Sequence, residues 1–135
     1  MFRHIADNRG IELYSFAIDV DNDLGKREIL AAFGVESLEQ LSRGYNVLVS
    51  QHADKDRFHL IGYTTREIKK KNLRIINGNG DGSEFPRIEI HDSTTVITLP
   101  PSPHNDGSNY QFIGRQLNEL RLESSMYAGK LDTLL

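Results

Sequence analysis

Residues 11–23 read IELYSFAIDVDND, and this stretch decides how the rest of the chain is interpreted. Its aromatic and aliphatic residues are typical of a strand, and the run ends at the turn-forming Asn22 and Asp23. Side chains on a strand alternate between faces, so Asp19 and Asp21 are predicted to project from the same side. Two acids after an apolar strand and before a helix predict a ligand site at the strand end. The alternative is that Asp21, Asn22 and Asp23 cap that helix.

The flanking sequence mixes helical and strand patterns. Apolar periodicity predicts a helix over residues 26–33 and a helical region from residue 110 onward. We also expect a short helix over residues 37–41 and a helix over the basic residues 65–74. Apolar runs between turn signals predict further strands, paired as two antiparallel hairpins, over residues 45–50 with 57–64 and 87–91 with 95–99. Glycine-rich residues 77–83 are predicted to form a loop. Helices mixed with largely antiparallel strands predict an α+β fold.

The chain has the size and composition of one globular domain. It contains 135 residues, of which 38% are hydrophobic and 26% charged, so we expect residues 1–135 to form a single domain. No apolar run approaches the roughly 18 residues that span a bilayer, and the N-terminus lacks the apolar stretch of a secretory signal. We therefore expect an intracellular protein without membrane contact. The absence of cysteine excludes disulfides and thiolate zinc sites.

Charge is informative locally rather than globally. The net charge of −3 is unlike that of proteins that coat nucleic acid through bulk positive charge. Basic residues nevertheless cluster in TREIKKKNLR at residues 65–74. This cluster either meets a phosphate backbone or is a solvated surface.

A third acid, Glu89, lies in the strand pattern IEIH and shares a predicted face with His91. Carboxylates from Asp19, Asp21 and Glu89 on one surface would repel each other without a cation, and hard oxygen ligands suit Mg or Mn. A solvent-facing Glu89 with no ligand is the alternative.

A histidine, His59, lies in the apolar run RFHLI. Arg57 shares its predicted face and Lys55 lies just upstream, so the three predict a cationic cradle for a triphosphate. A buried core position for His59 is the alternative. Residues 98–112, TLPPSPHNDGSNYQF, form either a rigid connection or a ligand-holding loop, in which prolines stiffen the chain and Ser102 and His104 offer polar atoms.

The order of these motifs resembles the archaeo-eukaryotic primase superfamily, and more closely its primase-polymerase branch, the bifunctional DNA primase/polymerase domain. IDVD at residues 18–21 is similar to that family's Asp-x-Asp strand, and IEIH at 88–91 to the strand with its third acid. RFHLI at 57–61 matches its histidine strand in part, because Arg57 stands where the family often has serine. PPSPHNDGSNY at 100–110 matches its PPS-x-H-x-x-G-x-x-Y segment.

The resemblance implies an RRM-like, mainly antiparallel sheet with flanking helices, forming a minimal catalytic core. It implies that the catalytic cations, Mg or Mn, are bound by Asp19, Asp21 and Glu89. The expected nucleotide-binding residues are His59, Arg57, Lys55, Ser102 and His104.

The function predicted on this basis is template-directed nucleotidyl transfer by a DNA primase or primase-polymerase core. Its substrates would be nucleoside triphosphates and a single-stranded DNA template, and a helicase or accessory replication subunit is a candidate partner. Two alternatives stay open. One is a non-catalytic nucleic-acid-binding or replisome-adaptor protein on the same fold, and the other is a metal-dependent nuclease in which His59 and His91 act together.

Overall fold

A sheet with two helices on one face organises the molecule. The computed structural model describes residues 5–6, 9–53, 56–65, 74–76, 87–91, 110–121 and 123–125. In chain order, the elements are β1 (Ile5–Ala6), β2 (Glu12–Val20), α1 (Asp23–Phe33), α2 (Leu38–Gly44), β3 (Val47–Gln51), β4 (Phe58–Thr64), β5 (Arg74–Ile76), β6 (Ile88–His91), β7 (Gln111–Phe112) and a 3-10 turn (Leu117–Glu119).

The central strand is β2, which carries the IDVD motif. The described strands run in the order β5-β6-β2-β4-β3-β7, with β1 paired to the start of β2, and all these pairings are antiparallel. Because β4 lies between β2 and β3, the latter two are parallel and their connection through α1 and α2 is a split βαβ crossover. The prediction of an α+β fold with a mainly antiparallel sheet and flanking helices is confirmed.

The helical layer covers one face of the sheet. Asn22 caps α1, since its side chain accepts a hydrogen bond from Gly25 N, and Gly34 ends the helix in the left-handed region with φ of 67°. Apolar side chains of both helices pack on alternate residues of the central strands, and this core consists of Phe16, Ile18, Val20, Ile29, Phe33, Leu38, Leu41, Val47, Val49, Phe58, Leu60, Ile88 and Ile90.

The opposite face is only partly covered. Ala17, Leu48 and Ile61 form a small apolar cluster there, and Phe112 and Leu120 pack against it. Two residues further along β2, the same face becomes polar at Asp19. This polar half of the open face contains the predicted site residues.

Several predicted elements are confirmed and their limits adjusted. β3 and β4 form the predicted hairpin, whereas α1 begins at Asp23 rather than at residue 26 because Asn22 provides the cap. The helix predicted over residues 65–74 is wrong at Arg74, which lies in β5. Residues 66–73, the predicted loop at 77–83 and the predicted strand at 95–99 lie outside the described residues.

The helical region predicted from residue 110 onward is wrong over the part that the structure describes. Gln111–Phe112 is the strand β7, and the 3-10 turn Leu117–Glu119 is short. Phe112 packs on the open-face cluster and Ile113 on the helical-layer core, as expected of consecutive residues in an extended chain. Gly114 then takes φ of 74°, a left-handed conformation that a helix does not contain. Neither α1 nor α2 has the length and apolarity needed to cross a bilayer.

Candidate active site

A row of polar side chains crosses four strands of the open face. Asp19 on β2 lies directly opposite Glu89 on β6 and directly opposite His59 on β4, while His59 is opposite Ser50 on β3. Residues opposite each other in antiparallel strands project to the same face, with Cβ atoms about 4.5–5.5 Å apart. The structure therefore brings Glu89, Asp19, His59 and Ser50 together as neighbours.

Each of the two acids in this row contacts an imidazole. Asp19 Oδ1 lies 3.3 Å from His59 Nε2, and Glu89 Oε1 lies 2.9 Å from His91 Nε2. Glu89 is partly exposed on the same face as Asp19.

Asp21 lies one step further along the same face of the chain. Its Oδ1 atom is 3.8 Å from Arg57 Nε, so the positively charged side chain of Arg57 lies beside this acid. Burial raises the pKa of the Asp21 carboxyl above its ordinary value and the charge of Asp19 adds to this rise, whereas Arg57, Arg87 and His59 oppose it. Asp19 and Asp21 therefore repel each other, and a cation between them would relieve that repulsion.

Asn22, rather than Asp21 or Asp23, provides the helix cap. Its Oδ1 atom accepts hydrogen bonds from Gly25 N at 2.8 Å and from Arg87 N at 3.0 Å. The same side chain thus caps α1 and holds the chain that enters β6. The alternative of a helix cap among residues 21–23 is confirmed for Asn22, whereas the Asp21 carboxylate lies beside Arg57.

His59 is held by aromatic contacts that the sequence did not reveal. Tyr110 stacks on its ring, with centroids 4.8 Å apart and an angle of 17° between the planes, and His52 meets Tyr110 edge-on. Tyr110 is the tyrosine that ends the PPS segment. That motif position was the available signal, yet only the tertiary structure shows that its ring packs on His59.

Two buried polar atoms in the row lack hydrogen-bond partners within the described part of the chain: His59 Nδ1 and Ser50 Oγ. An unpaired buried polar group costs about 1–3 kcal/mol, and such groups in a folded protein call for an explanation. His59 is thus a buried residue, as the alternative interpretation of RFHLI proposed. Within the described residues, however, its Nδ1 atom has no hydrogen-bond partner, and its Nε2 atom contacts Asp19.

The acids have the chemistry of a magnesium or manganese site, although they face other partners in this structure. Carboxylate oxygens are the ligands that these hard cations prefer. Among the residues described, no three His, Asp or Glu side chains are gathered closely enough to hold a metal ion. The acids instead contact the imidazoles of His59 and His91 and the guanidinium of Arg57. The other predicted nucleotide-binding residues, Lys55, Ser102 and His104, lie outside the described residues.

The chain is similar to a known protein family. The family model described as "Bifunctional DNA primase/polymerase, N-terminal" matches residues 3–123, a range that includes Asp19, His59 and Glu89. No curated protein and no solved structure matches the chain. Since the family match extends over most of the 135 residues and includes every strand described, the chain belongs to the bifunctional DNA primase/polymerase N-terminal (Prim-Pol) family.

Proposed function

We propose that this chain is the catalytic core of a primase-polymerase that joins nucleoside triphosphates on a single-stranded DNA template. Membership of the family implies a primase/polymerase-type function in DNA replication. The finer assignment is supported above all by one observation, the register that places Asp19 between Glu89 and His59 on the open face.

A divalent cation is part of this proposal. Asp19, Asp21 and Glu89 would hold Mg or Mn, because they are the carboxylates that the described sheet presents on this face. When bound, such cations stabilise the attacking 3′-oxygen and the leaving pyrophosphate of a nucleotidyl transfer.

The other residues of the face would bind and orient the triphosphate. Arg57 is a partly buried cation beside Asp21, and His59 offers an imidazole edge beside Asp19. Tyr110 and the β4 backbone limit the motion of His59, so this imidazole is pre-positioned rather than free to rotate in solvent. Pre-positioned polar groups favour a charged transition state because little reorganisation is needed when charge develops.

The proposal is tested by incubating the protein with single-stranded DNA, labelled nucleoside triphosphates and Mn. We expect template-dependent products, and we expect Asp19→Ala combined with Asp21→Ala to reduce their formation at least about 100-fold, as removal of essential charge-stabilising groups does. Products that survive in the double variant would remove these acids from the mechanism.

Asp23→Asn is the matched control for this experiment. Asp23 is an aspartate two residues from Asp21, but it belongs to α1 and pairs with Arg27, with Oδ2 2.9 Å from Nε. Its loss should leave product formation within about twofold, since exposed ion pairs of this kind contribute only about 0.3–0.5 kcal/mol.

A second candidate function is a non-catalytic nucleic-acid-binding or adaptor role. The observation that favours it is that Asp19, Asp21 and Glu89 each already contact an imidazole or guanidinium partner. Titrations with DNA and with nucleotide plus Mn separate the two functions. An adaptor would bind DNA without metal-dependent nucleotide affinity, whereas the polymerase core would show both.

The nuclease alternative required His59 and His91 to act together. The two histidines lie on β4 and β6, on opposite sides of β2, and two strand spacings amount to about 10 Å. The imidazole of His91 contacts Glu89 instead. Incubation with single-stranded DNA and Mn, without nucleotides, tests this alternative, and we expect no cleavage.

A further inference from the structure

A pocket separate from the polar row of Glu89, Asp19, His59 and Ser50 lies where α2 leads into β3. It has a volume of about 350 Å³ and is bordered by residues 43–46 on one side and by residues 115, 121 and 123–125 on the other. Three of the lining residues are arginines, Arg43, Arg115 and Arg121, and Glu123 is the carboxylate among them. Three arginines and one carboxylate give the lining a formal charge of +2, although the whole chain carries a net charge of −3.

The walls of the pocket are held together by hydrogen bonds from buried polar residues. The Asn46 side chain donates to Arg121 O at 2.8 Å and to Glu123 O at 3.1 Å, and it accepts from Arg121 N at 2.8 Å. Ser42 Oγ accepts from Arg115 N at 2.8 Å. Both Asn46 and Ser42 are buried, so the pocket is formed before any ligand arrives.

The guanidinium groups keep donors for a ligand. Within the described residues, Arg43 Nε lies 3.1 Å from Glu39 Oε1, and Arg121 Nε lies 3.3 Å from Glu123 Oε1. Arg115 uses Nε and Nη1 on the carbonyls of Ser42 and Glu119. A guanidinium has five N–H donors in a planar fork that matches phosphate oxygens, so each of these contacts leaves part of the fork available.

We infer that this pocket is a second anion site, which binds the phosphodiester backbone of a nucleic-acid strand. Asn46, in its wall, directly precedes β3, and Ser50 of the polar row follows four residues later in the chain. Arg43, Arg115 and Arg121 would contact phosphates without reading bases, because side-chain contacts to phosphate carry no sequence information.

A strand fits the pocket better than a free triphosphate does. Free nucleoside triphosphates usually bind with a divalent cation, which takes one or two carboxylates beside water and phosphate oxygens. Glu123 is the carboxylate that lines the pocket, and it contacts Arg121. The choice of nucleic acid among phosphate ligands rests on the proposed function, but binding at the pocket does not depend on catalysis at the row.

The test measures binding of labelled oligothymidylate by fluorescence anisotropy, with a chelator present and no nucleotide, between about 50 and 200 mM salt. The variant is Arg43→Gln combined with Arg121→Gln, which removes two charges and keeps the hydrogen bonds that Asn46 makes to the Arg121 backbone. We expect affinity to fall roughly tenfold and the slope of log K against log salt to become shallower by about 1.4, since each phosphate contact on single strands contributes about 0.7.

Two variants make the result decisive. Arg27→Gln is the matched control, because Arg27 is also an exposed arginine in an i,i+4 ion pair but lies on α1, outside the pocket; it should change neither affinity nor slope. Asp19→Asn should keep metal-free binding of oligothymidylate, so a failure of catalysis is distinguishable from a failure of the pocket.

An Arg43→Gln/Arg121→Gln protein with an unchanged melting temperature, affinity and slope would overturn the inference. Loss of metal-free nucleoside triphosphate binding with oligothymidylate binding intact would overturn it as well.

Discussion

Asp19 and His59 face each other on adjacent strands, with Oδ1 of the acid 3.3 Å from Nε2 of the imidazole. Their backbones are in direct register between β2 and β4, so their proximity is set by the sheet rather than by flexible side chains. On its other side Asp19 is opposite Glu89. A substitution at Asp19 therefore affects an acidic pair and an acid–imidazole contact together.

Replacing Asp19 by Asn should separate metal binding from stability. We expect Asp19→Asn to melt at the same or a slightly higher temperature without metal, because the repulsion between Asp19 and Asp21 is relieved. Wild-type protein should gain about 2.7 kcal/mol from Mn at a hundredfold excess over its dissociation constant, and Asp19→Asn should lose most of this gain. Thermal melting with and without Mn measures both effects. A large drop in melting temperature without metal would instead indicate a structural role for Asp19.

The raised pKa of Asp21 predicts a pH dependence of stability. The folded protein binds the Asp21 proton more tightly than the unfolded chain does, so this residue contributes stability at low pH that is lost as pH rises from about 3.9 through the raised pKa. Asp21→Asn cannot titrate. The difference in unfolding free energy between variant and wild type should therefore grow in favour of the variant across this interval and then stay constant.

Urea unfolding at a series of pH values measures this difference. Asp23→Asn serves as the comparison, because Asp23 lies in the first turn of α1 and pairs with Arg27. Its loss should destabilise the protein by about 0.3–1 kcal/mol at neutral pH, the opposite direction. If Asp21→Asn also destabilised the protein at neutral pH, the stabilisation that the Asp21 carboxylate gains from Arg57 would exceed the cost of its burial.

Asn22 should contribute more to the free energy of unfolding than an ordinary helix cap does. Its Oδ1 atom accepts from Gly25 N in α1 and from Arg87 N beside β6, whereas Ser37 caps α2 with one bond to Gln40 N. We expect Asn22→Ala to cost about 2 kcal/mol and Ser37→Ala about 1 kcal/mol in urea unfolding. Equal costs for the two variants would mean that the link to Arg87 adds no stability.

Tyr110 should act as a positioning residue for His59. Tyr110→Leu removes the stacked ring, which is worth about 0.5–1.5 kcal/mol beyond its area, whereas Tyr110→Phe retains it. If the proposed function holds, the leucine variant should lose about tenfold in kcat/KM for nucleotide incorporation, the equivalent of about 1.4 kcal/mol, and the phenylalanine variant less than about twofold.

A spectroscopic measurement tests the same contact without activity. A stacked ring shields the protons of its neighbour, so the His59 ring signals should move downfield in Tyr110→Leu and change little in Tyr110→Phe. Unchanged His59 signals in the leucine variant would show that Tyr110 does not hold the imidazole in solution.

Gly62 should not tolerate a side chain. A Cβ at this position would overlap Ser125, with its Cβ atom at 2.8 Å, and would lie 3.2 Å from the ring of Phe16. Ser125 is buried and bonded to the Tyr63 backbone in both directions, so it has little freedom to move. We expect Gly62→Ala to cost about 1–3 kcal/mol of unfolding free energy.

Gly44→Ala is the matched control for Gly62→Ala. Gly44 ends α2 with open space around it, and alanine there should stabilise the protein by about 0.4–1 kcal/mol through the unfolded state. A neutral Gly62→Ala would contradict the close packing of residues 123–125 against β4.

Much of the fold and of the candidate site was predictable from local sequence patterns. The apolar run before IDVD, the hairpin of β3 and β4, and the acid–histidine pair in IEIH were predictable because strand periodicity needs only neighbouring residues. The common face of Asp19 and Asp21 follows from the same periodicity. The wrong helix after residue 110 shows the limit of this reasoning, because Phe112 and Ile113 pack on opposite faces of the sheet and their spacing alone does not reveal it.

The sequence by itself determined which side chains are available for chemistry: three carboxylates, a histidine and an arginine, each in or beside an apolar strand. Tertiary structure alone decided that β2 lies between β4 and β6, which makes Asp19 the centre of the row, and that Tyr110 stacks on His59. The physical reason is that strand pairing and ring stacking join residues far apart in the chain. Such contacts are selected by the burial and hydrogen bonding of the whole sheet, so no single stretch of sequence specifies them.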